Sequence, residues 1–292
     1  MSHRPLSGIA IVAVIALAAL AACNTSKTPT ALGPETQVNF YSASLGLVSA
    51  PCATPPTCTS YNAIYYDRYD TTRTDHPYFF GTTVGLDYPV DPLQPIPGVP
   101  PFERPLYFRL PAGTHRFWFA NGAGTVVADT ALPLGASRRT LLYFVDSLAT
   151  NYRVLTLDET TTGPSSGVRF RVLNLSPDAG PVGVYALGDS GQNVWSNLPQ
   201  QVAYGTVTPY VTLDSALTLT DGNVYLEFFS GIDTANTIAT AVVPYLSGRS
   251  YHVVVEGTVT QETLNYPNPT QPGQFTPVTV NPTIAAKLRA VY

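Results

Sequence analysis

From residue 35 onward, apolar and polar residues alternate in short runs, and clusters of Gly, Pro, Asn and Asp separate one run from the next. The segments 38–42 (Val-Asn-Phe-Tyr-Ser), 107–110 (Tyr-Phe-Arg-Leu), 116–120 (Arg-Phe-Trp-Phe-Ala) and 140–145 (Thr-Leu-Leu-Tyr-Phe-Val) are rich in β-branched and aromatic residues. Such side chains fit a pleated, half-buried surface, so each segment reads as a strand. Comparable runs return at 168–173, 182–185, 225–229 and 251–256. No segment beyond residue 24 keeps a period of 3.6 over three turns, so the pattern predicts an all-β chain with little helix.

The two sets of strands repeat each other in order. Val38-Asn39-Phe40 parallels Val168-Arg169-Phe170, and Phe80-Gly81-Thr82 parallels Tyr204-Gly205-Thr206. Near each end, 131–138 (Ala-Leu-Pro-Leu-Gly-Ala-Ser-Arg) parallels 242–249 (Val-Val-Pro-Tyr-Leu-Ser-Gly-Arg), and both lead into an apolar strand. A unit of roughly 90 residues or more exceeds the solenoid period and suits a self-contained sandwich. The expectation is therefore two tandem Ig-like antiparallel β-sandwich domains, 35–160 and 166–262, joined by a small, polar, uncharged linker. The first carries two inserts, a loop at 52–58 and a proline-dense run at 88–105 whose prolines cannot donate to a ladder. The Pro-rich segment 263–292 ends in 283–292, read as a strand on a sheet edge in preference to a short helix.

The N-terminus carries an address. His3 and Arg4 precede a run of small and apolar residues at 8–22, which has the length and flanks of a signal-peptide core. The run falls short of the roughly 20 apolar residues that a membrane span needs. Leu20-Ala21-Ala22-Cys23 resembles the lipobox of bacterial lipoproteins, and that resemblance implies cleavage before Cys23 and acylation of its thiol. An ordinary secretory signal is the alternative. Residues 1–22 are then a lipoprotein signal peptide, and the Thr- and Pro-containing stretch 23–34 is a tether. Asn24 follows the cysteine where an Asp would signal retention at the inner membrane, so the expected place is the bacterial envelope, at the outer membrane, with the membrane itself a partner through the Cys23 anchor. Cys52 and Cys58 remain as the one intrachain pair, expected to form a disulfide in an exported protein. Metal binding by these thiols is the weaker alternative, since the nearest histidine, His76, has no partner histidine.

The segment 168–185 (Val-Arg-Phe-Arg-Val-Leu-Asn-Leu-Ser-Pro-Asp-Ala-Gly-Pro-Val-Gly-Val-Tyr) resembles the opening of the family catalogued as domain of unknown function 4397. That family opens with a strand, a Ser-Pro-Asp-Ala-Pro-like turn and a Val-x-Val-Tyr-like strand, followed later by an aromatic-Gly turn such as Tyr204-Gly205. The resemblance covers 168–258 and implies secreted or surface-anchored β-sandwich domains, often in tandem. It brings no activity and no catalytic residue. The first half lacks the Pro-Asp pair in 42–45 (Ser-Ala-Ser-Leu), so its membership rests on the internal repeat. In the turn itself, Pro177 presets φ and Asp178 can accept backbone hydrogen bonds, a structural role ahead of a ligand role.

Charge narrows the partners. Only 12% of the 292 residues are charged, the net charge is −4, and the only lysines are Lys27 and Lys287. A chain with so little basic charge has no footprint for a phosphate backbone, so nucleic acid is excluded as a partner. Its four histidines accompany no Gly-x-Ser-x-Gly elbow, no His-Glu-x-x-His and no phosphate-cradling loop. The expectation is that the chain is not an enzyme and carries no cofactor and no metal. His115 and His252 fall within strands; His252 and Glu256 share a face but stand about 13 Å apart, too far to ligate one metal, and a solvated face is expected for them. The most distinctive cluster is Tyr61, Tyr65, Tyr66, Asp67, Asp70 and Asp75, interleaved with Arg68, Tyr69, Arg73, His76 and Tyr78. Rings that stack and carboxylates that accept from hydroxyls suit glycan contact, and the three Asp suit Ca²⁺; a half-buried strand with a charged turn is the plainer reading. The function expected is a noncatalytic envelope lipoprotein that displays its sandwiches for adhesion, assembly or spacing, with envelope proteins or glycans as partners. A glycan- or Ca-binding recognition module is the alternative, and an unrecognised enzyme comes third.

Overall fold

The alternating runs pair as strands in a computed structural model of the chain. It describes residues 34–48, 62–69, 78–80, 86–88, 90–91, 104–105, 107–121, 125–148, 151–159, 162–188, 190–194, 197–231, 235–268, 271 and 273–291. The chain divides into Met1–Pro34 and Glu35–Tyr292, and the described strands belong to the second unit. Its first half holds β1 (Glu35–Ser42), a one-turn helix α1 (Leu45–Val48), β2 (Asn62–Tyr66), β3 (Tyr78–Phe80), β4 (Leu86–Tyr88), β5 (Val90–Asp91), β6 (Arg104–Pro105), β7 (Phe108–Pro111), β8 (Gly113–Ala120), β9 (Val126–Leu134), β10 (Arg139–Val145) and β11 (Arg153–Glu159). The second half holds β12 (Val168–Asn174), β13 (Val182–Leu187), β14 (Asn193–Val194), β15 (Thr206–Val207), β16 (Val211–Leu213), β17 (Asn223–Ser230), β18 (Thr237–Pro244), β19 (Ser250–Glu256), β20 (Glu262–Pro267), β21 (Phe275–Val280) and β22 (Ala285–Ala290).

Each half is a two-sheet sandwich, as the sequence predicts. In the first, one sheet runs β11-β10-β1-β4 with β7 also on β1, and the other runs β3-β2-β8-β9. In the second, the sheets run β15-β12-β19-β22, with β16 on β12, and β14-β13-β17-β18. The pairing is antiparallel apart from one pair in each half, β1 with β10 and β12 with β19. A short ladder of β5 with β6 brackets the proline-dense run.

Backbone hydrogen bonds fix the register of the repeat. Gln37 N donates to Arg138 O at 2.8 Å where Arg169 N donates to Arg249 O at 3.1 Å, and Ala43 N donates to Phe144 O at 2.9 Å where Leu175 N donates to Val255 O at 2.7 Å. Val38 therefore corresponds to Phe170 rather than to Val168. A slip of two leaves every side chain on its own face, so the polarity pattern cannot reveal it. The repeat also runs past residue 262. β22 lies antiparallel to β19 as β11 lies antiparallel to β10, so the terminal strand closes the second half's sheet, and the β20–β21 hairpin is an insertion between them.

Three apolar clusters explain why the strand sequences look as they do. In the first sandwich, Val38, Phe40, Ile64, Phe117, Phe119, Leu142 and Phe144 fill the space between the sheets, with Phe119 stacked on Phe144 at 4.4 Å and Phe40 edge-on to Phe117 at 5.6 Å. In the second, the filling is mostly aliphatic, from Val168, Val172, Val184, Val224, Val243, Val253 and their neighbours. The third cluster joins the halves: Tyr41, Leu141, Tyr143 and Val145 meet Leu173, Leu175, Val254 and Val291. The β1/β10 sheet and the β12/β19 sheet are thus stacked, giving four layers in which both inner sheets are covered on both faces. Every residue of β19 is buried, and so are six of the seven in β10. Strands covered on both faces read as continuous apolar runs, as 141–145 does, whereas in 251–256 the buried His252 and Glu256 interrupt the run. The hairpin adds a strap, with Leu264 and Tyr266 packed on Leu45 of α1.

Candidate functional site

The outer face of the β3-β2-β8-β9 sheet carries an aromatic row that local alternation creates. In β8, His115, Phe117 and Phe119 are buried while Arg116 is exposed and Trp118 half-buried, so Arg116 and Trp118 point outward. Tyr65 pairs with Trp118, which pairs with Asp129, in one register row across β2, β8 and β9. The row spans about 10 Å at the usual strand spacing. Tyr69, just past β2 and 40% exposed, stands edge-on to Tyr65 at 4.9 Å and lies 6.1 Å from Trp118. Burial and the neighbouring Tyr69 raise the Tyr65 hydroxyl above its ordinary pKa.

Among the described residues of this row, the cation and the anion are paired. Arg116 donates two hydrogen bonds to Asp129, Nε to Oδ1 at 2.8 Å and Nη2 to Oδ2 at 2.6 Å, and its guanidinium stacks over the Trp118 ring at 5.2 Å. The bond from Arg116 holds the Asp129 carboxylate below its usual range. One carboxylate thus orients the cation that lies over the indole.

Of the three described residues in the cluster expected to bind ligand, Tyr65, Tyr66 and Asp67, only Tyr65 stands in this row. Tyr66 faces the other way, half-buried against the Phe40 and Phe117 core, because neighbours along a strand alternate faces. Asp67 takes a left-handed backbone conformation at φ 55°, and its carboxylate bridges strands, contacting His115 Nδ1 at 2.7 Å and accepting from Arg116 N at 3.2 Å. Tyr61, Asp70 and Asp75 lie outside the described residues, as do Cys23 and the Cys52–Cys58 pair. Trp118, Arg116 and Asp129 were missed as site residues. The signal was present in the alternation of 116–120, where the polar and indole positions are out of phase with the two phenylalanines.

A second cluster, between the inner sheets, overturns the expectation of a solvated face. His252 is fully buried and Glu256 is 2% exposed. Tyr41 donates to Glu256 Oε2 at 2.6 Å, and Tyr143 Oη lies 2.5 Å from His252 Nδ1. Arg289, also fully buried, donates to Tyr143 Oη at 2.5 Å and to Asn39 Oδ1 at 2.9 Å. Its guanidinium lies over the rings of Tyr41 and Tyr143. On the other side of His252, Glu159 pairs with Arg171, lies 3.0 Å from Nε2, and accepts from Tyr210 at 2.6 Å. Burial, reinforced by the Arg171 charge, pushes the His252 pKa well below its ordinary value, so the ring is neutral. Nε2 then accepts from Arg171 Nε at 2.8 Å. Burial also draws Arg289 down to about 9, against the opposing influence of Tyr41. These side chains are spent on one another, with His252, Glu256, Glu159 and Arg289 buried, an arrangement that fixes how the inner sheets dock. Among the described residues, no set of three or more His, Cys, Asp and Glu side chains is placed to hold a metal ion.

The two motifs of the family resemblance are structural here. Asp178 accepts from Val259 N at 2.9 Å and from Thr260 N at 2.9 Å, pinning the loop after β19 to the Ser-Pro-Asp turn. Tyr204 donates to Asp146 O at 2.6 Å and carries the Arg153 guanidinium over its ring at 5.1 Å, so the Tyr-Gly turn docks on the first half.

Fold and motifs together define a stacked β-sandwich protein with a surface aromatic row. The family model described as domain of unknown function (DUF4397) matches residues 82–185, in agreement with the resemblance seen in the sequence. The matched span takes in β12, the Ser-Pro-Asp turn and the Val-Gly-Val-Tyr strand of the second half, and most of the rest lies in the first half, which the sequence motifs alone had left to the internal repeat. No curated protein matches the chain. Among solved structures, one described as "Alpha-glucan binding by a streptococcal virulence factor" is similar at 11% identity, over 75% of this chain and 92% of that one, with a TM-score of 0.21.

Proposed function

We propose that the protein is a noncatalytic lipoprotein of the bacterial envelope, anchored through Cys23 at the outer membrane and built to present the outer sheet faces of a rigid body for adhesion or envelope assembly. The observation that carries this reading is the four-layer stack. Burying both faces of both inner sheets commits the histidine, glutamate and arginine side chains of the interior to holding the layers together, and leaves outer faces and loops as the surface on offer. A body of this kind resists deformation, because close-packed layers shift only in discrete rearrangements. The low charge of the chain supports the same reading, since a neutral polar surface suits display outside the cell.

The test is mass spectrometry of membrane-extracted protein together with protease accessibility on intact cells. The expected result is a mature chain beginning at an acylated Cys23 and digested only when the outer surface, or the periplasm after outer-membrane permeabilisation, is opened to protease. An unmodified Cys23 in a fully processed mature chain overturns the anchor.

A further inference from the structure

We infer that the aromatic row on the outer face of the β3-β2-β8-β9 sheet is a binding site for a neutral polysaccharide, with Tyr69 and Trp118 as stacking rings and Asp129 as the residue that holds Arg116 against Trp118. This rests on the display reading and names what the displayed face takes.

Three features of the row point to that ligand. Tyr69 is one of two exposed large hydrophobic side chains among the described residues, the other being Phe275, and it stands within a ring cluster rather than singly. Isolated surface aromatics are ordinary, whereas a contiguous group marks a binding surface. The cluster is also pre-organised. Trp118 is covered on one side by Arg116, which Asp129 holds in place, and Tyr65 lies edge-on to Tyr69, so few rotamers remain to be frozen on binding. Finally, Arg116 and Asp129, the charged pair of the row among the described residues, are bonded to each other in bidentate fashion. A charged polymer would have to break that pair to gain an ion pair of its own, while an uncharged sugar can lay its C–H face on the rings and exchange hydroxyl hydrogen bonds with the pair left intact. The row's length across three strands fits two consecutive sugar rings.

The experiment uses the full-length protein in detergent micelles. Trp195→Phe leaves Trp118 as the sole indole, since the chain has two tryptophans. Dextran, laminarin and galactomannan serve as neutral probes, hyaluronan as an anionic one and chitosan as a cationic one. Binding is read twice, by the shielding of Trp118 emission from acrylamide and by retardation of the Trp195-containing protein in polysaccharide-loaded native gels. The expected result is saturable shielding and retardation by at least one neutral polymer. Tyr69→Ala and Trp118→Ala should each weaken retardation about tenfold, the loss of one stacking contact, while Phe275→Ala changes nothing. The inference is overturned if folded wild-type protein binds none of the neutral polymers, if Tyr69→Ala and Trp118→Ala bind as well as wild type, or if a charged polymer is preferred. Acylation at Cys23 is read independently, so loss of sugar binding and loss of the anchor are separate outcomes.

Discussion

Gly205 carries two constraints at once. Its φ of +68° is one that L side chains rarely adopt, and a Cβ built there would fall 1.4 Å from Arg153 Nη2. The turn needs the first and the docking of the second half on Arg153 needs the second. Gly205→Ala should therefore destabilise the protein by about 2 kcal/mol in urea unfolding. Adding Arg153→Ala should recover part of that loss, because it removes the clash and leaves only the backbone strain. Equal stability of Gly205→Ala and wild type would mean that the Tyr204-Gly205 turn does not dock in this way.

His252 makes a prediction about acid at the same scale. Its folded pKa lies well below the ordinary value, so the unfolded chain takes up a proton near pH 6.5 that the folded chain refuses. Protons bound to the unfolded state exceed those bound to the folded one below that pH, and stability must fall as the solution is acidified. The slope contributed by this one group is at most about 1.4 kcal/mol per pH unit, and it begins near pH 6.5. The groups packed around the ring are Tyr143, Tyr210, Glu159 and Arg171. Urea midpoints measured between pH 7.5 and 5 should show this slope in wild type and a flatter one in His252→Asn. Identical slopes would place the acid sensitivity in another group.

At the scale of elements, β22 decides whether the second sandwich is complete. Leu288 and Ala290 belong to its core, and Arg289 on the opposite face supplies partners for Asn39 and Tyr143 in the first half. Ending the chain at residue 280 should abolish cooperative unfolding and the near-ultraviolet circular dichroism of the packed tyrosines. A truncated chain that still unfolds in one sharp transition would show that β19 can serve as a sheet edge. Much of the element scale was legible in the sequence. Strands such as β8 and β17 announce themselves by alternation, and Gly113, Gly222 and Gly231, all at positive φ, sit at turns beside them. The register of the repeat was not legible, because a shift by two preserves polarity. Neither was the partner of β22, since an edge strand of mixed polarity is compatible with any open edge.

For the whole molecule, the stacking of the inner sheets is the decisive contact. It combines the apolar residues around Tyr41, Tyr143, Leu173 and Val254 with buried hydrogen bonds from Tyr41 to Glu256 and from Arg289 to Tyr143 and Asn39. Removing one partner from such a group costs several kcal/mol, because the other is left buried and unpaired. A protease site inserted between residues 160 and 166 and then cut should leave the two halves eluting together in size exclusion at neutral pH. Separation into two species would show that the linker, and not the interface, holds the halves side by side.

The sequence by itself determined the all-β class, the main strands and their order, the existence of an internal repeat, the family resemblance and the low charge. Each is a local or compositional property: period-two polarity, turn residues, short motifs and net charge act on neighbouring positions and need no knowledge of the rest of the chain. Tertiary structure decided which faces meet. His252 and Glu256 looked like the wet side of a strand because sequence alternation says which residues share a face but not what covers it. Trp118, Asp129 and Tyr69 became one site because the pairing of β2, β8 and β9 brings together residues some 60 positions apart, a distance that no local pattern spans.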